Sequence, residues 1–291
     1  MATTAVRVGT GKFTYELVPG WAKLPAGWEF KQVAGVAINE RDEVHVFNRS
    51  PHPVIVFDRD GSFVRSWGDG HFKSAHGICF ARDGSVWLAD NGDHTVKHFT
   101  ADGKLIRVLG TMDKPGEDGE PFNKPTDVSV APNGDVYISD GYGNHRVHVF
   151  TADGKYKFSW GQRGPVAVGI GDFNTPHNIW VHRDRVYVAD RENHRVQIFT
   201  LDGKHIETWT DFIQPTDIYI DREETVYVAE LRYRVTICDI RGKVLSRWGR
   251  FQTKEPGMFW AAHGIWTDSH KDLYVGEVLE GQRIQKFRRV G

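Results

Sequence analysis

Two cysteines in 291 residues, Cys79 and Cys238, are too few for a disulfide framework, and both lie inside apolar, strand-like runs. They read as small buried hydrophobes. Charge of one sign is also missing: 37 Lys and Arg against 38 Asp and Glu leave a net of −1. That balance gives no electrostatic grip on a phosphate backbone or an anionic bilayer, so neither nucleic acid nor membrane is expected as a partner. No run of 18 apolar residues occurs, and the opening MATTAVRVGTGKF lacks the continuous apolar stretch of a secretory leader. A cytoplasmic protein is expected. Hydrophobic residues at 40% suffice for a sizeable core.

What the chain has in abundance is repetition. A unit of roughly 40–50 residues recurs, the spacing of propeller blades. It is clearest in HGICFARDGSVWLADNGDHTVKHFTADGKLIRVLG, TDVSVAPNGDVYISDGYGNHRVHVFTADGKYKFSWG and HNIWVHRDRVYVADRENHRVQIFTLDGKHIETWT. Each copy holds four short runs rich in β-branched and aromatic residues, here called strands a to d, parted by turn signals such as RDG, PNG and ADG. Equivalent positions fall at Ala34, His76, Thr126, His177, Thr216 and His263. Six such units predict an all-β, six-bladed β-propeller spanning 1–291 as a single domain. The sixth copy, GIWTDSHKDLYVGEVLEGQRIQKFRR, stops one strand early. FTYELVPGW at 13–21 resembles the missing fourth strand, so the N-terminal strand is expected to close the ring in blade six.

The six equivalent positions mark the start of strand a, the innermost. Histidine occupies it in copies two, four and six; threonine or alanine stands between. Alternate blades of a six-bladed ring stand about 120° apart, so three imidazoles are predicted to meet near the axis. Three convergent histidines with an open position are the ligand set of catalytic zinc sites. His94, His145 and His194 also recur, but in consecutive blades at the start of strand c, too far out to converge; they read as structural. His52, His148, His182, His205 and His270 read as surface residues. The b-to-c turns face the same mouth and offer Arg49, Tyr142 and Arg191, against Asn91, Leu231 and Val278 in the other blades. Arginine suits carboxylate capture and tyrosine suits proton transfer. Asp90, Asp140 and Asp190 recur too regularly for catalysis and read as turn residues. The d-to-a loops 111–123, 162–174 and 250–260 are expected to wall the mouth.

At Asn144–Phe150 and Asn193–Phe199 the pattern N-H-R-V…F resembles the NHL class of six-bladed propellers. The set PHNIW, SDGYGNHR, ADRENHRVQIF and AHGIW resembles the catalytic propeller of peptidyl-α-hydroxyglycine α-amidating lyase. That family cleaves a carbinolamide at a peptide C-terminus to a peptide amide and glyoxylate. The resemblance implies Zn2+ held by His76, His177 and His263, with Tyr142 as the essential tyrosine and Arg49 and Arg191 as its arginines. It implies that Tyr142 removes the proton of the substrate hydroxyl, that Arg49 steadies the tyrosine or the developing charge, and that Arg191 binds a carboxylate. Where the family carries a calcium-ligating aspartate after the third histidine, this chain has Gly264, which argues against a structural Ca2+. No monooxygenase domain accompanies the repeats, so a small-molecule α-hydroxyamide is as suitable a substrate as a peptide C-terminal one. Two other readings fit the same residues: another metal-dependent hydrolase or lyase at the axial site, and a non-catalytic interaction module. A lactonase is disfavoured because the ring of six positions lacks carboxylate and asparagine ligands.

Overall fold

The computed structural model describes residues 5–116, 122–163 and 169–291. Among them the one helical element is a 3-10 turn at Arg191–Asn193, and no helix is long and apolar enough to cross a membrane. The strands assemble into five four-stranded sheets and one five-stranded sheet, the blades of a six-bladed β-propeller. Within blade 2 the order is that of the sequence: a (Ala75–Phe80), b (Val86–Asp90), c (Thr95–Phe99) and d (Leu105–Leu109). The RDG between a and b makes a tight turn, with Ala81 N donating to Ser85 O at 2.8 Å and Gly84 at a φ of 80° that favours glycine. Strand b is buried on both faces, whereas strand d is mostly exposed, so the apolar content of each run reports its depth in the sheet.

The chain packs as two compact units, Met1–Ser66 with Tyr219–Gly291, and Trp67–Ile218. In the second, blades 2 and 3 share a core that includes Trp87, Val96, Phe122 and Ile138, and blades 3 and 4 share one around Tyr137, Phe173, Val188 and Phe199. In the first, Tyr15, Tyr227, Trp248, Phe259 and Phe287 form the corresponding core. The expected closure is present: Phe13–Val18 pairs antiparallel with Ile284–Arg289 in the sheet of blade 6. Phe13 and Tyr15 point into the core while Thr14 and Glu16 do not, the period-two pattern of a half-buried strand. A further strand, Arg7–Thr10, pairs on its outer side and gives that sheet its fifth member, which the repeat pattern did not anticipate. The two cysteines are free and buried, as expected.

His45, in strand b of blade 1 (Val44–Asn48), is fully buried. Burial pushes its imidazole below the ordinary value, an effect offset only in part by Glu43, while Arg65 and Arg41 add to it. A histidine whose folded pKa is depressed takes its proton first in the unfolded chain. The stability it leaves intact above about pH 6.5 is therefore lost as pH falls below that value. Denaturant unfolding at a series of pH values is expected to show this acid-side slope, and His45→Phe to flatten it.

Candidate metal centre

The six equivalent positions lie where the sequence places them, at the start of each strand a: Val33–Ile38, Ala75–Phe80, Pro176–His182, Pro215–Ile220 and Ala262–Thr267, with Thr126 just ahead of Asp127–Val130. In blade 4 the pairing runs Pro176↔Asp190 and then Asn178↔Ala189, so His177 is the extra residue of a β-bulge. The same irregularity leaves His263 between Ala262↔Glu277 and Gly264↔Gly276, and falls at His76–Gly77 in blade 2. A bulge re-aims one side chain out of the pleat, here toward the other two imidazoles.

His76, His177 and His263 are buried, and one ring nitrogen from each lies within 4.8 Å of the others. All three rings are held in one way. Nδ1 of His76 meets the carbonyl of Thr126 at 2.6 Å, Nδ1 of His177 that of Thr216 at 2.8 Å, and Nδ1 of His263 that of Ala34 at 2.6 Å. A carbonyl only accepts, so each Nδ1 carries a proton, which in a neutral ring leaves the lone pair on Nε2. The threonines and the alanine between the histidines thus supply the carbonyls that fix ring orientation and tautomer. This is the support expected around metal-binding imidazoles. The sequence shows these residues at the shared register; it does not show that their backbone is the functional part.

Tyr142 stands over two of the rings. Its hydroxyl lies 3.1 Å from Nε2 of His76 and 3.0 Å from Nε2 of His177, and accepts a bond from Arg191 Nη1 at 3.1 Å. One phenolic proton can serve only one of those two nitrogens. Such a gathering of ring nitrogens suits a cation, and a donor set of three imidazoles suits zinc or a similar transition ion. Arg191 reaches over the tyrosine, its guanidinium 5.3 Å from the ring centroid, and Glu192 braces it at 2.8 Å. The guanidinium on the tyrosine is therefore that of Arg191. Arg49 is held by Gln32, its Nη1 donating at 2.7 Å.

Other recurrent residues prove to be braces. Asp90 accepts the backbone N–H groups of Lys73 and Ser74, Asp140 that of Asn123, and Asp190 that of Asn174. Each carboxylate thereby ties down the chain just before its own strand a. His94, His145 and His194 have left-handed φ values of 55–64° and accept from Lys124 N, Thr175 N and Gln214 N on the next blade, a structural role as expected. His148 corrects the expectation of a surface residue: it is 3% exposed, with Nε2 3.3 Å from Asp140. It does follow a register, in strand c with Lys97 and Gln197, which meet Asp90 and Asp190 in the same way. Carboxylates and an asparagine also stand one position along strand a from the six-residue ring. There Asn178 donates to both Asp127 and Asp217 and ties three strands together. Burial, followed by the charge of Asp217, pushes Asp127 well above the usual carboxylate range. Parts of two expected mouth loops, 117–121 and 164–168, lie outside the described residues.

Thr126 is tied from both ends. Its carbonyl orients His76, and its hydroxyl donates to the carbonyl of Pro176, next to His177, at 2.7 Å. Thr126→Val keeps the shape and removes that bond, and is expected to weaken metal affinity about tenfold in a chelator competition.

NHL repeats match residues 72–99, 122–150 and 173–199, which fall in blades 2 to 4. Over 60 residues, 20% of the chain, it is 38% identical to peptidylglycine alpha-amidating monooxygenase of Rattus norvegicus, and the match spans 6% of that protein's length. Among solved structures it is similar to a gluconolactonase from Xanthomonas campestris, at TM-score 0.72 and 15% identity over 99% of this chain and 95% of that one. It is also similar to a streptogramin B lyase, at TM-score 0.65 and 14% identity over 90% and 95% of the two chains. A catalytically inactive virginiamycin B lyase from Staphylococcus aureus, with quinupristin, gives TM-score 0.62 and 17% identity over 94% and 88%. At such identities the likeness is one of fold. This chain is a six-bladed β-propeller that carries NHL repeats.

Proposed function

We propose that the protein is a metal-dependent lyase, with zinc the ion its donors suit best. It cleaves the C–N bond of an α-hydroxyglycine-like carbinolamide to an amide and glyoxylate or a related α-oxo acid. One observation carries the reading: a tyrosine hydroxyl within 3.1 Å of two of three converging imidazoles, with an arginine bonded to it. His76, His177 and His263 would hold the ion, which supplies Lewis acidity toward the substrate hydroxyl. Tyr142, as the phenolate, takes the hydroxyl proton. The electron pair of that O–H bond forms the new carbonyl, the C–N bond breaks, and Tyr142 returns the proton to the departing nitrogen. Arg191, bonded to the phenol oxygen, stabilises the phenolate that stands there before the proton is taken and again after it is returned. Arg49 is the residue we assign to the substrate carboxylate, which a guanidinium binds bidentately.

The test is metal analysis of the purified protein, paired with an assay for glyoxylate released from an N-acyl-α-hydroxyglycine. Stoichiometric metal together with metal-dependent glyoxylate supports the reading. Metal without glyoxylate, with turnover of a sugar lactone instead, would move the assignment to a hydrolase; the absence of both metal and turnover would leave an interaction module.

A further inference from the structure

The residue following the buried acid or amide at the end of strand b changes character from blade to blade. Blade 1 presents Arg49 and blade 4 Arg191, and blade 3 brings Tyr142 one position later. Blades 5 and 6 present Leu231 and Val278. In the structure these two join Ala34, Ala261 and Trp260 in an apolar cluster separate from the blade cores. Ala34, Ala261 and Val278 are buried, while Leu231 and Trp260 keep part of their surface open.

The acids at the ends of strand b bring no free charge into this sector, and the cation beside it, Lys254, stands over the Trp260 ring at 5.5 Å. Glu230 and Glu277, the acids preceding Leu231 and Val278, are fully buried and paired with Arg234 and Arg283. Glu277 also accepts the backbone N–H of Trp260 at 2.7 Å, and Val278 N donates to Ala261 O at 3.1 Å, so the cluster is fixed through its backbone. It is continuous with a metal ligand. Ala261 and Ala262 lead directly into His263, and Ala34 gives its side chain to the cluster and its carbonyl to His263.

We infer that this cluster seats the acyl group of the leaving amide and makes the enzyme selective for carbinolamides whose acyl group is apolar and uncharged. The inference rests on the lyase reading above. The polar groups, Tyr142 and the arginines, serve the end of the substrate that becomes the α-oxo acid. The amide end meets the side chains of Leu231, Val278 and Trp260, where an aliphatic or aromatic acyl group leaves water and a carboxylate gives up its hydration.

The experiment is a kcat/KM series on the metal-loaded enzyme with N-acetyl-, N-propionyl-, N-butyryl-, N-benzoyl- and N-succinyl-α-hydroxyglycine, followed by glyoxylate release. Expected is a rise of about fourfold per methylene from acetyl to butyryl, the increment for burying one such group, with benzoyl good and succinyl poor. Leu231→Ser is expected to lower the butyryl-to-acetyl ratio, whereas Ile206→Ser, at an exposed site on strand d of blade 4, keeps the wild-type ratio. A flat acyl series, a preference for succinyl, or a Leu231→Ser variant that slows every substrate equally would overturn the inference and leave the lyase reading standing. No glyoxylate from any member of the series would overturn both.

Discussion

Replacing His177 with alanine is expected to strip the ion from the protein and abolish turnover while the propeller stays folded. A ring nitrogen of His177 is one of the three that converge, and its Nε2 is one of the two that Tyr142 touches, at 3.0 Å. Loss of an outer partner of a metal ligand costs about 10–100-fold in affinity or activity, so loss of the ligand itself should exceed that range. The fold has reason to survive. His177 is the extra residue of a bulge, and the strand around it stays paired through Asn178↔Ala189, Ile179↔Val188 and Trp180↔Tyr187. What the substitution leaves behind is a buried Thr216 carbonyl without its imidazole donor, a cost of about 1–3 kcal/mol. Metal content, thermal midpoint and glyoxylate release, measured on one preparation, check the prediction. A variant that kept its full complement of metal would sink it.

Tyr142→Phe is the sharper chemical test because it removes one oxygen and leaves the ring. The ring packs edge-on to His76 at 5.4 Å and to His177 at 5.7 Å, and beneath Arg191, and phenylalanine can keep all three contacts. Metal content is therefore expected to hold. The proton relay is lost, which lowers kcat by about 10²–10⁴-fold. A drop in kcat with little change in KM marks a group that acts in the transition state. A Tyr142→Phe enzyme that turned over within a few-fold of wild type would show that the proton travels elsewhere.

Much of this was written in the chain, because a propeller repeats its chemistry at a fixed interval. His76, His177 and His263 stand out in sequence since their counterparts Ala34, Thr126 and Thr216 break the pattern, and the alternation itself reports the geometry. Arg191 and Tyr142 were legible as residues facing the mouth, but their mutual bond was not, because the sequence carries register and no rotamers. The bulges at His177 and His263 were hidden too, since an inserted residue leaves the apolar alternation on either side intact. His148 was misjudged because its counterparts in strand c are Lys97 and Gln197: the constant is a polar atom meeting a buried acid, supplied by unlike side chains. The strand Arg7–Thr10 belongs to no repeat, so periodicity could not reveal it.

The pairing of Phe13–Val18 with Ile284–Arg289 sets an order of events during synthesis. A sheet woven from residues 13–18 and 284–289 stays unfinished until residue 289 has left the ribosome, whereas blades 2 to 4 are composed of contiguous sequence and can mature as they emerge. His263 lies in the late-forming sheet, so a truncated nascent product would own two imidazoles and lack the third. The three-imidazole set is therefore assembled only after the seam between the first and the last strands of the propeller has formed.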